Sequence, residues 1–527
     1  MQTTAKYTLF ALLESKLELF MELLSERWRP WICLVAATLG GALIPLSMAP
    51  YSLWPAGIIG IFFIAIALRN SAPKRALLLA FFAGLALFGV GVSWVHVAIA
   101  QFGNSSTTIA LTLTALFITG LAAIFAAPFY LYGRYLSRTL LGQTLGFAAL
   151  WVLGEWLRSW LFTGFPWLYV GYGQINTPLS GFAPIFGVFG VSLSACLISA
   201  GALWLREHYR QNGSHRIPIA VAAAIGTLYI AGIALEQIAW THEKPYKISV
   251  GLMQPNIPQE HKWDPAYYSE TLDTFSELSE PLWALDWVIW PEAAIPYPYH
   301  QAAPLLDQIH EYSKTQGTVF ITGIIYDDYS AYKYYNAIIA RGSGSGEYFK
   351  QRLVPFGEYV PFEEQLRGII SFFNLPTSII HIGPFNKAGL NANGVLIAAA
   401  ICYEIVYPDL IAEIARDKDI ILTISNDAWF GYSNGPLQHF EMARMRAIET
   451  GRYVIRATNN GISGFISPSG DVIKHGGRFT REAITGEVSR MEGATPFMVW
   501  RSWPIVFFGF FIIFCCVVHQ RYNKFNE

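Results

Sequence analysis

At 527 residues the chain is long enough for roughly two to four domains. Hydrophobic residues make up 53%, charged residues only 14%, and mean hydropathy is +0.35, which excludes an ordinary soluble enzyme of this length. A net charge of −1, with no basic runs interleaved with aromatics, argues against a nucleic-acid partner.

Residues 1–30 place Leu9, Leu12, Leu13, Leu17, Phe20 and Leu24 at helical spacing. Glu14, Glu18, Glu22 and Glu26 precede the first apolar run, unlike a signal peptide. This segment is expected to lie as an amphipathic helix on the inner membrane face. From Trp31 to Trp240 there are only twelve charged residues, most of them between apolar runs. Seven spans are predicted near 31–47, 54–68, 76–98, 108–132, 143–162, 183–205 and 217–239, the second being short for a bilayer. An eighth runs from about Val499 to Val518, followed by a short tail to residue 527. Arg69, Lys74, Arg75, Arg134, Arg138, Arg206, Arg210, Arg216, Arg521 and Lys524 then fall on one side, together with Lys6, Lys16, Arg27 and Arg29. The positive-inside rule makes that side cytoplasmic and puts residues 241–498 outside.

Residues 241–498 have a globular composition and a βα rhythm. Strands are predicted at KISVGLMQ, DWVIW, TVFITGII, NAIIAR, VLIAAAI, DIILTISN, YVIRATNN and SGFIS. Helices fit near 266–280, 303–314, 408–416 and 436–450. The apolar strands imply a sheet covered on at least one face by helices. NAIIARGSGSGEYFKQR reads as a hairpin, its GSGSG as a turn rather than a phosphate loop.

Of the five cysteines, Cys33, Cys196, Cys515 and Cys516 lie in long apolar stretches and only Cys402 lies in a polar region. That set supports neither a disulfide framework nor a zinc site. The eleven histidines are scattered, and no HExxH, CxxC or GxSxG motif occurs, so no metal and no cofactor are expected. Three stretches place reactive groups beyond strand ends: VIWPEAAIP with Glu292, GEYFKQRLVPFGEYVP with Lys350 and Glu358, and ICYEIVYP with Cys402. An acid, an amine and a thiol so placed suit acyl transfer through a thioester. The carboxylate takes the thiol proton, and the ammonium with a backbone N–H meets the oxyanion. Taken singly, each residue also has an ordinary structural reading: a packed thiol, a loop acid, a hairpin lysine.

Eight motifs in order carry a resemblance: LFTGFPWLYVGYGQ, QPNIPQEHKWD, WPEAAIP, YFKQRLVPFGEYVP, CYEI, SNDAWFG, QHFEMARMRAIE and RATNNGISG. The chain resembles the nitrilase superfamily and, more closely, its membrane branch, the apolipoprotein N-acyltransferases. The resemblance implies a seven-span membrane domain at 31–240, a nitrilase-like α–β–β–α sandwich at 241–498, and a final span at 499–527. It implies Glu292 as general base and acid, Lys350 as oxyanion stabiliser and Cys402 as nucleophile. Glu358 is expected to hold Lys350, either as a second acid or only as a structural partner. The Tyr403 N–H is expected as a second oxyanion donor. Trp263, on a loop over the site, Glu404, Trp429 and Arg158 are the candidate substrate-binding residues, though Trp263 has an alternative reading as a loop anchor. The implied donor is a phospholipid, phosphatidylethanolamine in particular, and the acceptor is the diacylglyceryl cysteine of an apolipoprotein. The implied location is the bacterial inner membrane, with the sandwich on the periplasmic side.

Glu155 and Arg158 stand three apart, so a helix puts them on one face, either as an interfacial ion pair or with Arg158 on a phospholipid phosphate. LRGIISFFNLP (366–376) is apolar enough to be core or an arm in the bilayer. Two other functions compete: a membrane-tethered amidase, which would need no seven spans, and a transporter or chaperone with a dead hydrolase domain. Intact Glu292, Lys350 and Cys402 argue against the last.

Overall fold

The computed structural model describes residues 28–102, 106–211, 216–355, 357–359, 380–384 and 389–526. Nearly all of the expected amphipathic segment, and the whole of the 366–376 arm, lie outside these residues. The apolar half comprises helices α1 (Arg29–Leu43), α2 (Trp54–Leu68), α3 (Pro73–Val92), α4 (Val95–Phe102), α5 (Thr107–Tyr135), α6 (Phe147–Arg158), α7 (Ala183–Gln211) and α8 (Arg216–Glu236). Helices α1, α2 and α3 each carry a proline at their first or second position, where the missing N–H has no helical partner to lose. Close approach sets their packing. A Cβ on Gly40 would lie 2.5 Å from the Gly60 carbonyl oxygen, and one on Gly41 only 2.0 Å from that of Ala83. Small residues let these backbones meet where lipid offers no hydrophobic drive.

Six helices are long and apolar enough to cross a membrane: Arg29–Ser47, Pro73–Val92, Thr107–Tyr135, Pro178–Tyr209, Pro218–Glu236 and Trp503–Asn523. The expected eight spans are therefore not all of spanning length among the described residues. Helix α2 has 15 residues and α6 only 12. The expected third span stops at Val92, and α4 continues as a separate helix. The expected fifth ends at Arg158, and three consecutive left-handed residues, Phe162, Thr163 and Gly164 (φ 53°, 72° and 87°), turn the chain back.

The globular half is built from β1 (Thr241–Gln254), α9 (Tyr268–Ser279), β2 (Trp287–Ile289), α10 (Tyr299–Gln316), β3 (Val319–Asp328), β4 (Lys333–Gly342), β5 (Gly344–Ser345), β6 (Glu347–Phe349), β7 (Leu390–Ala392) and β8 (Val395–Ile401). It continues with α11 (Pro408–Ala415), β9 (Ile420–Ser425), α12 (Gly435–Thr450), β10 (Val454–Thr458), β11 (Gly464–Ile466), β12 (Val472–His475), β13 (Glu482–Gly493) and α13 (Pro496–Trp500). The final helix α14 is Trp503–Asn526. The strands form a six-stranded sheet, β13-β1-β2-β3-β4-β6, and a seven-stranded sheet, β12-β11-β10-β9-β8-β7-β5. All eight expected strands are present. The GSGSG segment does more than turn, because Gly344–Ser345 pairs with β7 and ties the first sheet's hairpin to the second sheet.

Alternation along the strands explains the layering. Ile397, Ala399 and Ile401 of β8 face a core shared with Trp287, Ile289, Val319 and Ile321 of the other sheet. Ala398 and Ala400 face the opposite way, toward Ile411, Met442 and Ala443 of α11 and α12. Val288 and Phe320 pack under α9 and α10 with Phe275 and Leu306. The result is an α–β–β–α sandwich whose second helical layer is also in contact with the membrane helices.

Helix α12 forms that contact. All of its 16 residues except Leu437 and Arg444 are buried, although it carries Gln438, His439, Glu441, Arg446 and Glu449. Glu441 Oε2 accepts the Ala49 N–H at 2.9 Å, and Glu449 Oε1 accepts that of Val188 at 2.7 Å. Gln438 Oε1 accepts the indole N–H groups of Trp94 (3.2 Å) and Trp167 (2.7 Å), while its amide donates to the Gly91 carbonyl. Burial pushes the Glu441 carboxyl up to about 7, despite the Ala49 N–H. A raised carboxyl stabilises the fold at low pH, and that contribution is lost as pH rises through about 7. Melting curves of the intact protein and Glu441→Gln between pH 5 and 8.5 should therefore diverge. The wild type should lose roughly 3 kcal/mol relative to the variant across that window.

Candidate active site

Glu292 stands just beyond β2 on a turn held to β3. Trp290 N–H bonds the Ile321 carbonyl, Ala294 N–H that of Gly323, and Gly323 N–H that of Pro291. Ala293 is left-handed (φ 44°), and a Cβ on Gly323 would lie 2.7 Å from the Glu292 Cα. Only glycine lets the two backbones come this close. Glu292 Oε1 accepts Asn336 Nδ2 at 2.7 Å and lies 3.6 Å from Lys350 Nζ, while Oε2 accepts the Asn426 N–H at 2.8 Å.

Lys350 follows β6, its N–H bonded to the Asn336 carbonyl. Its side chain is 1% exposed, and Nζ donates to Glu358 Oε1 at 2.8 Å. Glu358 Oε2 in turn accepts the Val354 N–H at 2.8 Å. Burial opposes the ammonium, but the facing carboxylates of Glu358 and Glu292 outweigh it and hold Lys350 above its ordinary value.

Cys402 is the first residue beyond β8 and is itself left-handed (φ 53°). A non-glycine residue in this region stores strain, which suits an elbow that aims a side chain out of a sheet. Behind it, His439 Nε2 lies 3.1 Å from the Cys402 carbonyl oxygen. Arg456 Nη2 is 3.0 Å from His439 Nδ1 and 2.8 Å from Asp427 Oδ2. The arginine makes Nδ1 the acceptor, so Nε2 carries the proton donated to Cys402. Burial, then Arg456, lowers the His439 value, in keeping with a neutral ring. Burial and the Glu292 carboxylate push the Cys402 thiol up to about 12, with Lys350 pulling the other way. The resting arrangement is a neutral thiol, a carboxylate and a charged ammonium. It can transfer an acyl group once the carboxylate takes the thiol proton.

The structure thus brings Glu292, Lys350, Glu358 and Cys402 together at the ends of β2, β6 and β8. Tyr403 follows Cys402 in the turn, and its ring meets the loop after α6. It stacks on Trp167 at 6.3 Å, and its hydroxyl donates to the Gly164 carbonyl in the loop after α6. Glu404, expected as a substrate contact, is instead wholly buried behind the elbow. Its oxygens accept the N–H groups of Ile401, Gln351 and Arg352 and the Tyr348 hydroxyl. This ties the Cys402 turn to the segment after Lys350. Trp263 and Trp429 are 45% and 41% exposed, Trp263 on the loop before α9 and Trp429 on the turn after β9. Arg158 is 3% exposed, with its guanidinium 5.0 Å from the Phe88 ring and 5.1 Å from that of Tyr169. It is enclosed by aromatic faces rather than set at a lipid-facing surface. Among the described residues no Glu155–Arg158 ion pair forms, because Glu155 Oε1 turns to the Val170 N–H and the Trp151 indole.

Lys262, Asn336, Asn426 and the Asp427–His439–Arg456 group were not foreseen from the sequence. Lys262 and Asn426 stand beside the expected Trp263 and within SNDAWFG, so the motifs marked their place without their role.

Replacing Glu404 by alanine leaves three N–H groups, that of Ile401 fully buried, without their acceptor, at about 1.5–3 kcal/mol for each charge-assisted bond lost. Glu404→Ala should lower the melting temperature and activity together. Trp263→Ala, at an exposed position, should leave the melting temperature within about 1 °C.

Family models match both halves: an apolipoprotein N-acyltransferase N-terminal domain at residues 40–202 and a carbon-nitrogen hydrolase at 249–495. The apolipoprotein N-acyltransferase of Pseudomonas syringae pv. tomato is 39% identical over 94% of this chain and 99% of its own length. That of Vibrio parahaemolyticus is 38% identical over 90% and 94%. Among solved structures, Saccharomyces cerevisiae Nit3, of branch 10 of the nitrilase superfamily, aligns with 46% of this chain and 90% of its own, at 19% identity and a TM-score of 0.34. With apolar helices ahead of a nitrilase-like sandwich, and relatives of this identity over nearly its whole length, the chain belongs to the apolipoprotein N-acyltransferase family.

Proposed function

We propose that this membrane protein moves a fatty acyl chain from a phospholipid to Cys402 and then to the α-amine of a lipidated N-terminal cysteine of an apolipoprotein. The observation that carries the reading is the junction of Glu292, Lys350 and Cys402, a 3.6 Å carboxylate–ammonium approach beside a strained thiol elbow, next to the loop after α6. In the first half, Glu292 takes the Cys402 proton as sulfur attacks the ester carbonyl. The oxyanion is met by Lys350 and the Tyr403 N–H. Collapse breaks the C–O bond, and Glu292 returns the proton to the departing lysophospholipid alkoxide. In the second half the acceptor amine attacks the thioester, Glu292 takes the proton the nitrogen loses, and collapse breaks the C–S bond, giving the amide and a thiolate that receives that proton from Glu292. No external energy source is needed, because a thioester is reactive toward an amine. Glu358 holds Lys350 charged and in place.

The domain division we propose is an inner-face segment at 1–30, a membrane domain at 31–240, a catalytic domain at 241–498 and a final helix with its tail at 499–527. The positive-inside pattern supports a bacterial inner-membrane protein with the catalytic domain on the periplasmic side. Phosphatidylethanolamine is the proposed donor. Acyl chains on both substrates favour a site that opens at membrane level, and three tyrosines reach from the sandwich to Thr163 and Gly164 there.

Purified protein incubated with labelled phosphatidylethanolamine should acquire a hydroxylamine-sensitive acyl adduct. The adduct should be lost in Cys402→Ala and form at least about 100-fold more slowly in Glu292→Gln. An adduct that persists in Cys402→Ala rejects the assignment. Initial rates against donor at several acceptor concentrations should give parallel double-reciprocal lines.

A further inference from the structure

The site gathers two acids, the buried Glu292 (8% exposed) and the part-buried Glu358, around one lysine, Lys350. That set places two acidic side chains against one basic one. Burying a lone charge is costly unless a counter-ion is buried with it. Lys262 is placed to supply that counter-ion. Lys262, 7% exposed, sends its ammonium inward to donate to the Glu292 carbonyl oxygen at 2.9 Å, within the fields of the Glu292 carboxylate and the Cys402 thiol. Its neighbour Trp263 is half-exposed, with Lys262 Nζ 5.9 Å from the indole centre, so the same residue anchors the loop carrying Trp263.

We propose that Lys262 is the second cation of this site, a positioning residue that balances the Glu292–Cys402 pair and latches the Trp263 loop to the Glu292 turn. The idea rests on Cys402 being the nucleophile. A lysine serves here because its compact ammonium reaches a backbone carbonyl beside the thiol while remaining titratable. Burial lowers it to about 8, with Glu292 and Cys402 pulling upward, so the balancing charge is present at neutral pH and withdrawn just above it. The other charged groups facing this cluster are Lys350 with Glu358, and Asp427, which is paired with Arg456. Lys350 is raised and Asp427 lowered, so neither titrates near pH 8.

The test is the rate of iodoacetamide alkylation of Cys402, followed by mass spectrometry of its peptide in the full-length detergent-solubilised protein from pH 6 to 9.5. It needs no phospholipid, so its failure is separable from failure of the donor assignment. Below its own value a thiol's rate rises tenfold per pH unit. In the wild type that rise should flatten near pH 8, as Lys262 loses its proton and the thiolate loses its cation. Lys262→Met should lie about tenfold lower at pH 7 and rise without the bend. Lys262→Arg, charged throughout, should also rise without the bend but lie above Lys262→Met. A bend near pH 8 that survives in Lys262→Arg overturns the proposal, and so does a wild type without one. A purely structural role would lower the rate in Lys262→Met and leave the bend in Lys262→Arg.

Discussion

Helix α12 is polar on several faces and has almost no water around it. A helix of this kind holds together only if each polar side chain finds a fixed partner, and here the partners are backbone and indole groups of the membrane half, most of them in the turns between its helices. Gln438, Glu441 and Glu449 reach Gly91, Trp94, Trp167, Ala49 and Val188 across the junction. The same helix meets the turn that opens at Cys402, where Arg446 bonds the Val406 carbonyl. The position of the candidate nucleophile is thereby referred to the membrane helices through one rigid element. His439 makes the link direct, since its ring bonds the Cys402 carbonyl and packs against Trp167 at 5.9 Å.

Around Cys402 the geometry is set by strained turns and buried carboxylates working together. Cys402 and Ala293 both occupy left-handed conformations that the surroundings must hold. Glu404 does this for Cys402 by accepting the N–H of Ile401, just before the elbow, and that of Gln351 from the segment after Lys350, while Glu358 holds the Lys350 ammonium. A carboxylate is suited to such work because it accepts several bonds at once and each is charge-assisted. The cost is burial, which pushes Glu404 up to about 7 despite those donors.

Much of the globular half was legible in the residues. VLIAAAI reads as a strand of a sheet covered on at least one face because every residue in it is apolar, and both faces prove to be covered. Glu292, Lys350 and Cys402 could be picked out because each follows an apolar run with an abrupt polar change. Glu404 was misplaced for a definite reason. Two residues after the thiol, a 3₁₀ turn points its side chain back into the sandwich, and sequence spacing does not distinguish that from the cleft. Glu155 and Arg158 share a helical face, yet the loop returning over α6 offers Val170 N–H and the ring of Tyr169, and these partners win. The GSGSG turn hid a bridge to the second sheet because hydrogen bonding by glycine and serine backbone leaves no mark on side-chain pattern.

By itself the sequence determined an apolar half and a globular half with a βα rhythm, the strand and helix order, and three reactive side chains at strand ends. These follow from hydrophobic periodicity and local chemistry, which adjacent residues carry. Only the tertiary structure decided which residues stand behind Cys402, which helices reach spanning length, and how α12 joins the halves. It also placed Lys262 beside Glu292. Those outcomes depend on close contacts between residues far apart in the chain, Lys262 with Glu292, His439 with Cys402 and Glu441 with Ala49, where compensation of buried charge and backbone donors selects the partner.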